Sequence, residues 1–281
     1  MAANVFQAFY ETETLGQFVA GPDRGGFRTG SGLEWADQKT EDPYAVTAVD
    51  PGGSAVHIEI VNSPVFQGSQ SVWMRQDINN NERRCQLSEY NNSALTALTN
   101  SGPKTMWTRM NVYLGQNMVM PRGSPFPYIR MHECISFNPN IPTNNYGCPA
   151  LMFLSRDFVG GAGPTDTNQL YVNWAHGGFG SNSYHQLSEL CVLGWNQIIT
   201  RTLFGTASNG EYQVFLNGIS AINQTGVTTY IAGDNNFLVT NEFSGLMPNS
   251  GGTWSVYYDD YQVNQDNIWA TTATPIGGFK S

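Results

Sequence analysis

The sequence predicts an all-β sandwich of two antiparallel sheets, and three observations predict it. Helical periodicity is scarce: no long window keeps an apolar stripe at i, i+3, i+4 and i+7 between capping residues. Ten short runs alternate apolar and polar residues instead. Clusters of Gly, Asn, Pro and Ser stand between the runs, as turns do between strands. In order the runs are AVHIEIV, SVWMRQDI, RRCQLSEY, MWTRMNVYL, YIRMHECISF, ALMFLSRDF, QLYVNWA, WNQIITRTLF, EYQVFLNG and WSVYYDDYQV. No internal repeat and no polar linker divides them. The expectation is one domain over 1–281, with a core at about 45–264, an N-terminal arm at 1–44 and a C-terminal strap at 265–281.

Two-residue alternation assigns faces to the central runs. In RRCQLSEY, Arg84, Gln86, Ser88 and Tyr90 share a face against Cys85 and Leu87. In MWTRMNVYL, Trp107, Arg109, Asn111 and Tyr113 oppose Met110, Val112 and Leu114. In YIRMHECISF, Tyr128, Arg130, His132, Cys134 and Ser136 oppose Ile129, Met131, Ile135 and Phe137, with Glu133 interrupting the apolar side. Read as neighbours, these three strands present one polar, aromatic surface. Arg forks, amides and flat rings are what carboxylates, sugar hydroxyls and pyranose faces require. A solvated outer face of any sandwich also carries such residues.

Composition narrows the partners. Only 12% of the 281 residues are charged, about half the usual ~25%. The 13 basic residues, of which Lys39, Lys104 and Lys280 are the lysines, face 22 acids for a net charge of −9. That balance excludes a basic stripe for nucleic acid. No apolar run approaches a membrane-spanning helix, and MAANVFQAFYETETLGQF shows no secretory signal pattern. The expected setting is extracellular or the surface of a virion, which leaves its host by lysis. A chain of this size buries enough surface without disulfides. Cys85, Cys134, Cys148 and Cys191 form no Cys-x-x-Cys pair. Cys85, Cys134 and Cys191 lie in apolar-flanked runs that suit buried thiols.

The order RRCQLSEY, MWTRMNVYLG, YIRMHECISF, PALMFLSRDF, GWNQIITRTLFGTASNGEYQVFLNG and SVYYDDYQV resembles the heparin-lyase-like polysaccharide lyases of the concanavalin A-like jelly-roll superfamily. The match spans about Ser71 to Val263, and its most specific piece is the NGEYQVFLNG hairpin with its Trp195 lead-in. The resemblance implies a jelly roll. It also implies β-elimination at a uronate, which needs a carboxylate neutraliser, a base for the C5 proton and an acid for the leaving oxygen. By this resemblance Arg84 would neutralise and His132 would be the base. Gln86 stands where the family has Glu. The family's Tyr, in a strand before the last one, is missing from NNFLVTNEFSGLMPNSGG, which leaves Tyr128 or Tyr230 as substitutes. Related jelly rolls also hold Ca²⁺ near the final strand, making Asp259 and Asp260 the candidate oxygen ligands. No cofactor is otherwise required.

Other enzyme patterns are absent. There is no strand with a Glu-x-Asp-x-x-Glu pair of glucanase acids, and no Gly-x-Ser-x-Gly, His-Glu-x-x-His or P-loop. His57 reads as a solvated strand residue, and His176 and His185 flank the GGFGSNSY loop. Two function classes remain. One is a glycan-binding or structural surface module of a phage or viral decoration, fibre or tail protein. It would use Arg84, Gln86, Arg109, Asn111, Tyr113, Tyr128, Arg130 and His132 to hold a polysaccharide, and would meet capsid or tail subunits or further copies of itself. The other is a lyase acting on an acidic, uronate-containing glycan through Arg84, His132 and Tyr128. The sequons at Asn91 and Asn223 matter only on a eukaryotic secretory route.

Overall fold

The computed structural model describes the backbone of residues 6–8, 16–17, 27–28, 34–35, 37–41, 56–77, 82–90, 105–118, 120, 128–137, 148–155, 168–175, 183–205, 209–229, 236–246 and 253–266. Side chains are described for 59–75, 105–118, 120, 128–134, 149–155, 168–173, 184–205, 209–229 and 254–266. Every described element is a strand. They are β1 (Phe6–Ala8), β2 (Gly16–Gln17), β3 (Phe27–Arg28), β4 (Glu34–Trp35), β5 (Asp37–Glu41), β6 (Val56–Val61), β7 (Ser71–Asp77), β8 (Glu82–Tyr90) and β9 (Thr105–Leu114). Then follow β10 (Tyr128–Phe137), β11 (Cys148–Leu154), β12 (Gln169–Ala175), β13 (Ser183–Leu190), β14 (Gly194–Leu203), β15 (Gly210–Leu216), β16 (Ile219–Val227), β17 (Asn236–Leu246) and β18 (Thr253–Asn264).

A nine-stranded sheet runs β16-β15-β14-β9-β18-β7-β6-β2, with β1 also paired to β18. A seven-stranded sheet runs β13-β12-β11-β10-β17-β8-β5. All pairings are antiparallel, and β3 and β4 form a separate ribbon. Each of the ten alternating runs contains a strand. The segment 1–44, read from sequence as an arm, contributes β1, β2 and β5 to the two sheets. Their short, polar stretches carry too little alternation to be recognised without their partners.

Apolar positions at every second residue explain why the sheets stack. Met106, Met110, Val112 and Leu114 of β9 meet Ile129, Met131, Leu151, Phe153 and Val172 of the opposite sheet in one core. Tyr258, fully buried in β18, donates its hydroxyl to the Met131 carbonyl at 2.8 Å and so ties one sheet to the other. Outside this core, Ala150, Met152, Leu154 and Tyr171 form a second cluster on the outer side of the seven-stranded sheet, with Tyr128 and Tyr184 packed on it. The β15–β16 connection is Asn217-Gly218 with φ of 51° and 82°. Both are left-handed, as a two-residue type I′ hairpin demands.

Two bulges decide what faces outward. In β10 the register slips between Arg130 and His132, and in β18 between Asp259 and Gln262, where Asp260 has φ 51°. A bulge inserts one residue and turns all later side chains to the other face.

Candidate functional site

Arg130 stands opposite Met152, and Glu133 opposite Ala150, on the outer side of the seven-stranded sheet. Arg130 is ion-paired with Glu133 and lies 6.0 Å from the Tyr128 ring centroid. His132, by contrast, stands opposite the core residue Leu151. It is 1% exposed, and its ring sits 6.1 Å from that of Tyr261 inside the sandwich. Strict alternation placed Tyr128, Arg130, His132 and Cys134 on one face. The bulge at Met131 corrects this: Tyr128, Arg130 and Glu133 are outside, while His132 and Cys134 are inside. Cys134 and Cys191 are both free and buried, and burial pushes each thiol up to about 12.

Arg84 on β8 is in register with Ser244 on β17, which is in register with Arg130 on β10. The two arginines thus occupy one cross-strand row, separated by a single strand. Gln86 is in register with Glu242 on one side and Lys39 on the other. The side chains of Arg84 and Gln86 lie outside the described residues, as do Tyr230, His176 and the side chain of His57. His185 is half-buried on the end strand β13.

Arg109, Asn111 and Tyr113 do not join this surface. Their strand, β9, lies in the nine-stranded sheet between β14 and β18. β8, β9 and β10 are consecutive in sequence but not neighbours, because the chain crosses from one sheet to the other and back. Arg109 donates from Nη2 to Asp260 Oδ2 at 2.5 Å, Asn111 Nδ2 approaches the same oxygen at 3.4 Å, and Gln262 Nε2 donates to Oδ1 at 2.7 Å. Burial raises the Asp260 pKa despite these donors and lowers that of Arg109 despite its partner. Asp259 Oδ2 accepts from the Phe66 and Gln67 amides at 2.9 and 3.0 Å. Burial still pushes its carboxyl up to about 7, with the Asp260 charge adding to the rise. Both carboxylates named as candidate Ca²⁺ ligands thus carry protein donors, the Phe66 and Gln67 amides on Asp259 and Arg109, Asn111 and Gln262 on Asp260. Among the described residues no three His, Cys, Asp or Glu side chains assemble around a common point.

The outer side of the nine-stranded sheet carries a feature that residue patterns did not single out. Trp195 is in register with Tyr113, Tyr113 with Tyr257, and Tyr257 with Trp73. Four aromatic residues therefore form one row across β14, β9, β18 and β7. Trp73 and Tyr257 are near-parallel at 6.2 Å between centroids. Tyr113 meets Tyr257 edge-on at 5.7 Å and Trp195 at 5.4 Å. Phe66 meets Trp195 edge-on at 5.5 Å. Arg75 lies over Trp73 at 5.5 Å, and Glu59 of β6 is in register with Trp73. Trp73, Tyr113, Tyr257 and Phe66 are half-buried, so part of each ring remains open to solvent, whereas Trp195 is buried. Burial beside Tyr113 and Glu59 raises the Tyr257 pKa. The signal in the sequence was an aromatic at an outward position of each strand, and only the register aligns them.

No family model matches the chain, and no curated protein matches it. Solved structures do. The endo-β-1,4-glucuronan lyase of the fungus Trichoderma reesei superposes with a TM-score of 0.55 at 11% identity, covering 82% of this chain and 95% of that one. The carbohydrate esterase of the Shiga toxin-encoding bacteriophage phi24B gives 0.51 at 10% identity, covering 95% and 100%. The fold is a concanavalin A-like jelly roll. The binding domain of botulinum neurotoxin serotype D/C gives 0.52 at 11% identity over 94% of this chain. The jelly roll spans about half of that domain, 49%. At these identities the likeness is one of fold.

Proposed function

We propose that the chain is a glycan-binding jelly-roll module displayed on a phage or other extracellular surface. The observation that carries this reading is the aromatic row of Trp73, Tyr257 and Tyr113 on the outer side of the nine-stranded sheet. Strands stand about 4.8 Å apart, so three adjacent rings span roughly the length of two to three pyranose units. Partly open rings offer π surfaces to the apolar faces of sugars, and Arg75 and Glu59 beside Trp73 supply hydrogen-bonding groups for hydroxyls. Two solved structures with this fold, the glucuronan lyase and the phage carbohydrate esterase, are named for action on carbohydrate. That supports the choice of ligand class. No Ca²⁺ enters this reading.

The competing reading, a lyase using Arg84, His132 and Tyr128, draws support from the row that joins Arg84 and Arg130. Against it weighs the bulge, which sets His132 in the core, away from Arg130 and Tyr128. One experiment separates the two. The chain is titrated with a panel of neutral and uronate-containing polysaccharides by calorimetry, while ultraviolet absorbance follows formation of an unsaturated uronide. Binding to one polymer, weakened about tenfold or more by Trp73→Ala and Tyr257→Ala, with flat absorbance, is expected. A rise in absorbance abolished by Arg84→Ala and His132→Ala overturns the reading in favour of the lyase.

A further inference from the structure

Two residues along the strands from the aromatic row, the next outward positions are Ser71 on β7, Asp259 on β18 and Asn111 on β9. All three are buried, although they project from the outer side of the sheet. The connection between β6 and β7, residues 62–70, lies on this face. Its Phe66 and Gln67 amides donate to Asp259 Oδ2 at 2.9 and 3.0 Å. Its base is closed by the Ser71 hydroxyl, which donates to the Pro64 carbonyl at 2.6 Å. Gly68, with φ 76°, supplies the left-handed residue for the return to β7.

From this anchor on β18 the Phe66 ring reaches Trp195 on β14, two strands away. Trp195 belongs to the row by register, yet it is 6% exposed while Trp73, Tyr257 and Tyr113 keep half-open rings. Tyr113 and Phe66 enclose the indole edge-on, at 5.4 and 5.5 Å. Phe66 is itself half-buried, so at this end it offers its own surface in place of the indole. Its backbone meets the tip of the Asp259 side chain. The loop therefore runs above the sheet at the height of the rings, and the Phe66 side chain fills the level at which a ligand on the row lies. At the other end the sheet continues beyond Trp73 into β6 and β2, where the neighbour in register is the half-buried Glu59.

We propose that Phe66 is the stop of the aromatic row and makes it a site for the ends of linear glycans. The inference rests on the glycan reading above and narrows its ligand. The terminal unit lies on Tyr113 against Phe66, the next units lie on Tyr257 and Trp73, and the rest of the chain leaves over β6. The interior of a polymer is refused, because a chain continuing past Tyr113 needs the level that Phe66 fills. Trp195 is a fourth subsite kept closed. Asp259 acts through the loop amides as a positioning residue. Removing the Phe66 ring opens Trp195 and lengthens the row by one strand spacing, about 4.8 Å, or roughly one pyranose unit.

The test is calorimetry of the full-length chain with β-1,4-linked gluco-, manno- and glucurono-oligosaccharides of two to eight units, and with the corresponding polymers of known chain length. Phe66→Ala, alone and with Trp195→Ala, is measured beside the parent, and circular dichroism verifies that the variants fold. The parent is expected to gain no affinity beyond about three units and to saturate at one protein per polymer chain. Phe66→Ala is expected to bind four-unit and longer oligosaccharides about threefold or more tighter than three-unit ones, and to load several proteins per chain. Both gains disappear when Trp195→Ala is added. Several parent molecules per chain, or a Phe66→Ala variant with the parent's length profile, overturns the proposal; the glycan reading then stands if Trp73→Ala still weakens binding. Absence of binding to every saccharide, in parent and Phe66→Ala alike, overturns the glycan reading and the proposal with it. If a variant fails to fold, the parent's stoichiometry on the polymers decides.

Discussion

Asp259 is a carboxylate held where carboxylates are disfavoured. Two amides donate to it, yet burial wins and its pKa rises from the ordinary 3.8 to about 7. A folded-state value above the unfolded one means that the native state binds the proton more tightly. Its contribution to stability is full below about pH 4, falls as pH rises through 7, and is absent above. Asp259→Asn keeps an oxygen for the Phe66 and Gln67 amides and removes the charge. The unfolding free energy of the variant minus that of the parent is expected to grow as pH rises from 4 to 8, on a scale of a few kcal/mol. A difference that stays constant across that range would contradict the assignment. Asp260, one residue on, is also raised by burial, against the lowering effect of its partners Arg109, Gln262 and Asn111.

At the level of elements, the β10 bulge is the decisive local feature. It displaces Met131 from regular pairing, and the Tyr258 hydroxyl of the opposite sheet captures the Met131 carbonyl. The strut and the bulge depend on each other. Tyr258→Phe leaves a buried carbonyl without its donor, an expected loss of about 1–3 kcal/mol in denaturant unfolding. An unchanged unfolding midpoint would mean that the carbonyl finds another donor and the bulge stands alone. The ten alternating runs were legible because each strand carries its own apolar face. The bulges were not: Glu133 breaks the alternation of YIRMHECISF, but one polar residue on an apolar face does not mark an extra residue, and neither does the Asp259-Asp260 pair of SVYYDDYQV. β13 and β16 were missed as well. SYHQLSEL and ISAINQTGV are polar end strands whose pairing comes from the neighbouring strand more than from their own pattern.

On the scale of the whole molecule, charge and face can be separated. Binding through the aromatic row rests on stacking and dispersion, so affinity for a neutral glycan is expected to change less than about twofold when salt is raised from low to physiological levels. Binding of a uronate polymer by Arg84 and Arg130, on a chain with a net charge of −9, would change with salt by clearly more than that. Calorimetric titrations at two ionic strengths distinguish the two faces without any mutation.

The sequence alone determined the class of fold, since alternation and turn chemistry are local properties that survive without knowledge of partners. It also excluded a nucleic-acid stripe and a membrane-spanning helix, since both are matters of composition. Which residues act together was decided only by tertiary structure. Arg84, Arg109 and Arg130 look equivalent along the chain, yet the crossover between sheets puts Arg109 against Asp260 in one sheet and Arg84 in the row of Arg130 in the other. Trp73, Tyr113, Tyr257 and Trp195 are scattered over more than a hundred residues, and strand register draws them into one line. A face is a property of one strand. A site is a property of the register between strands, and that is set by the packing of the whole sandwich.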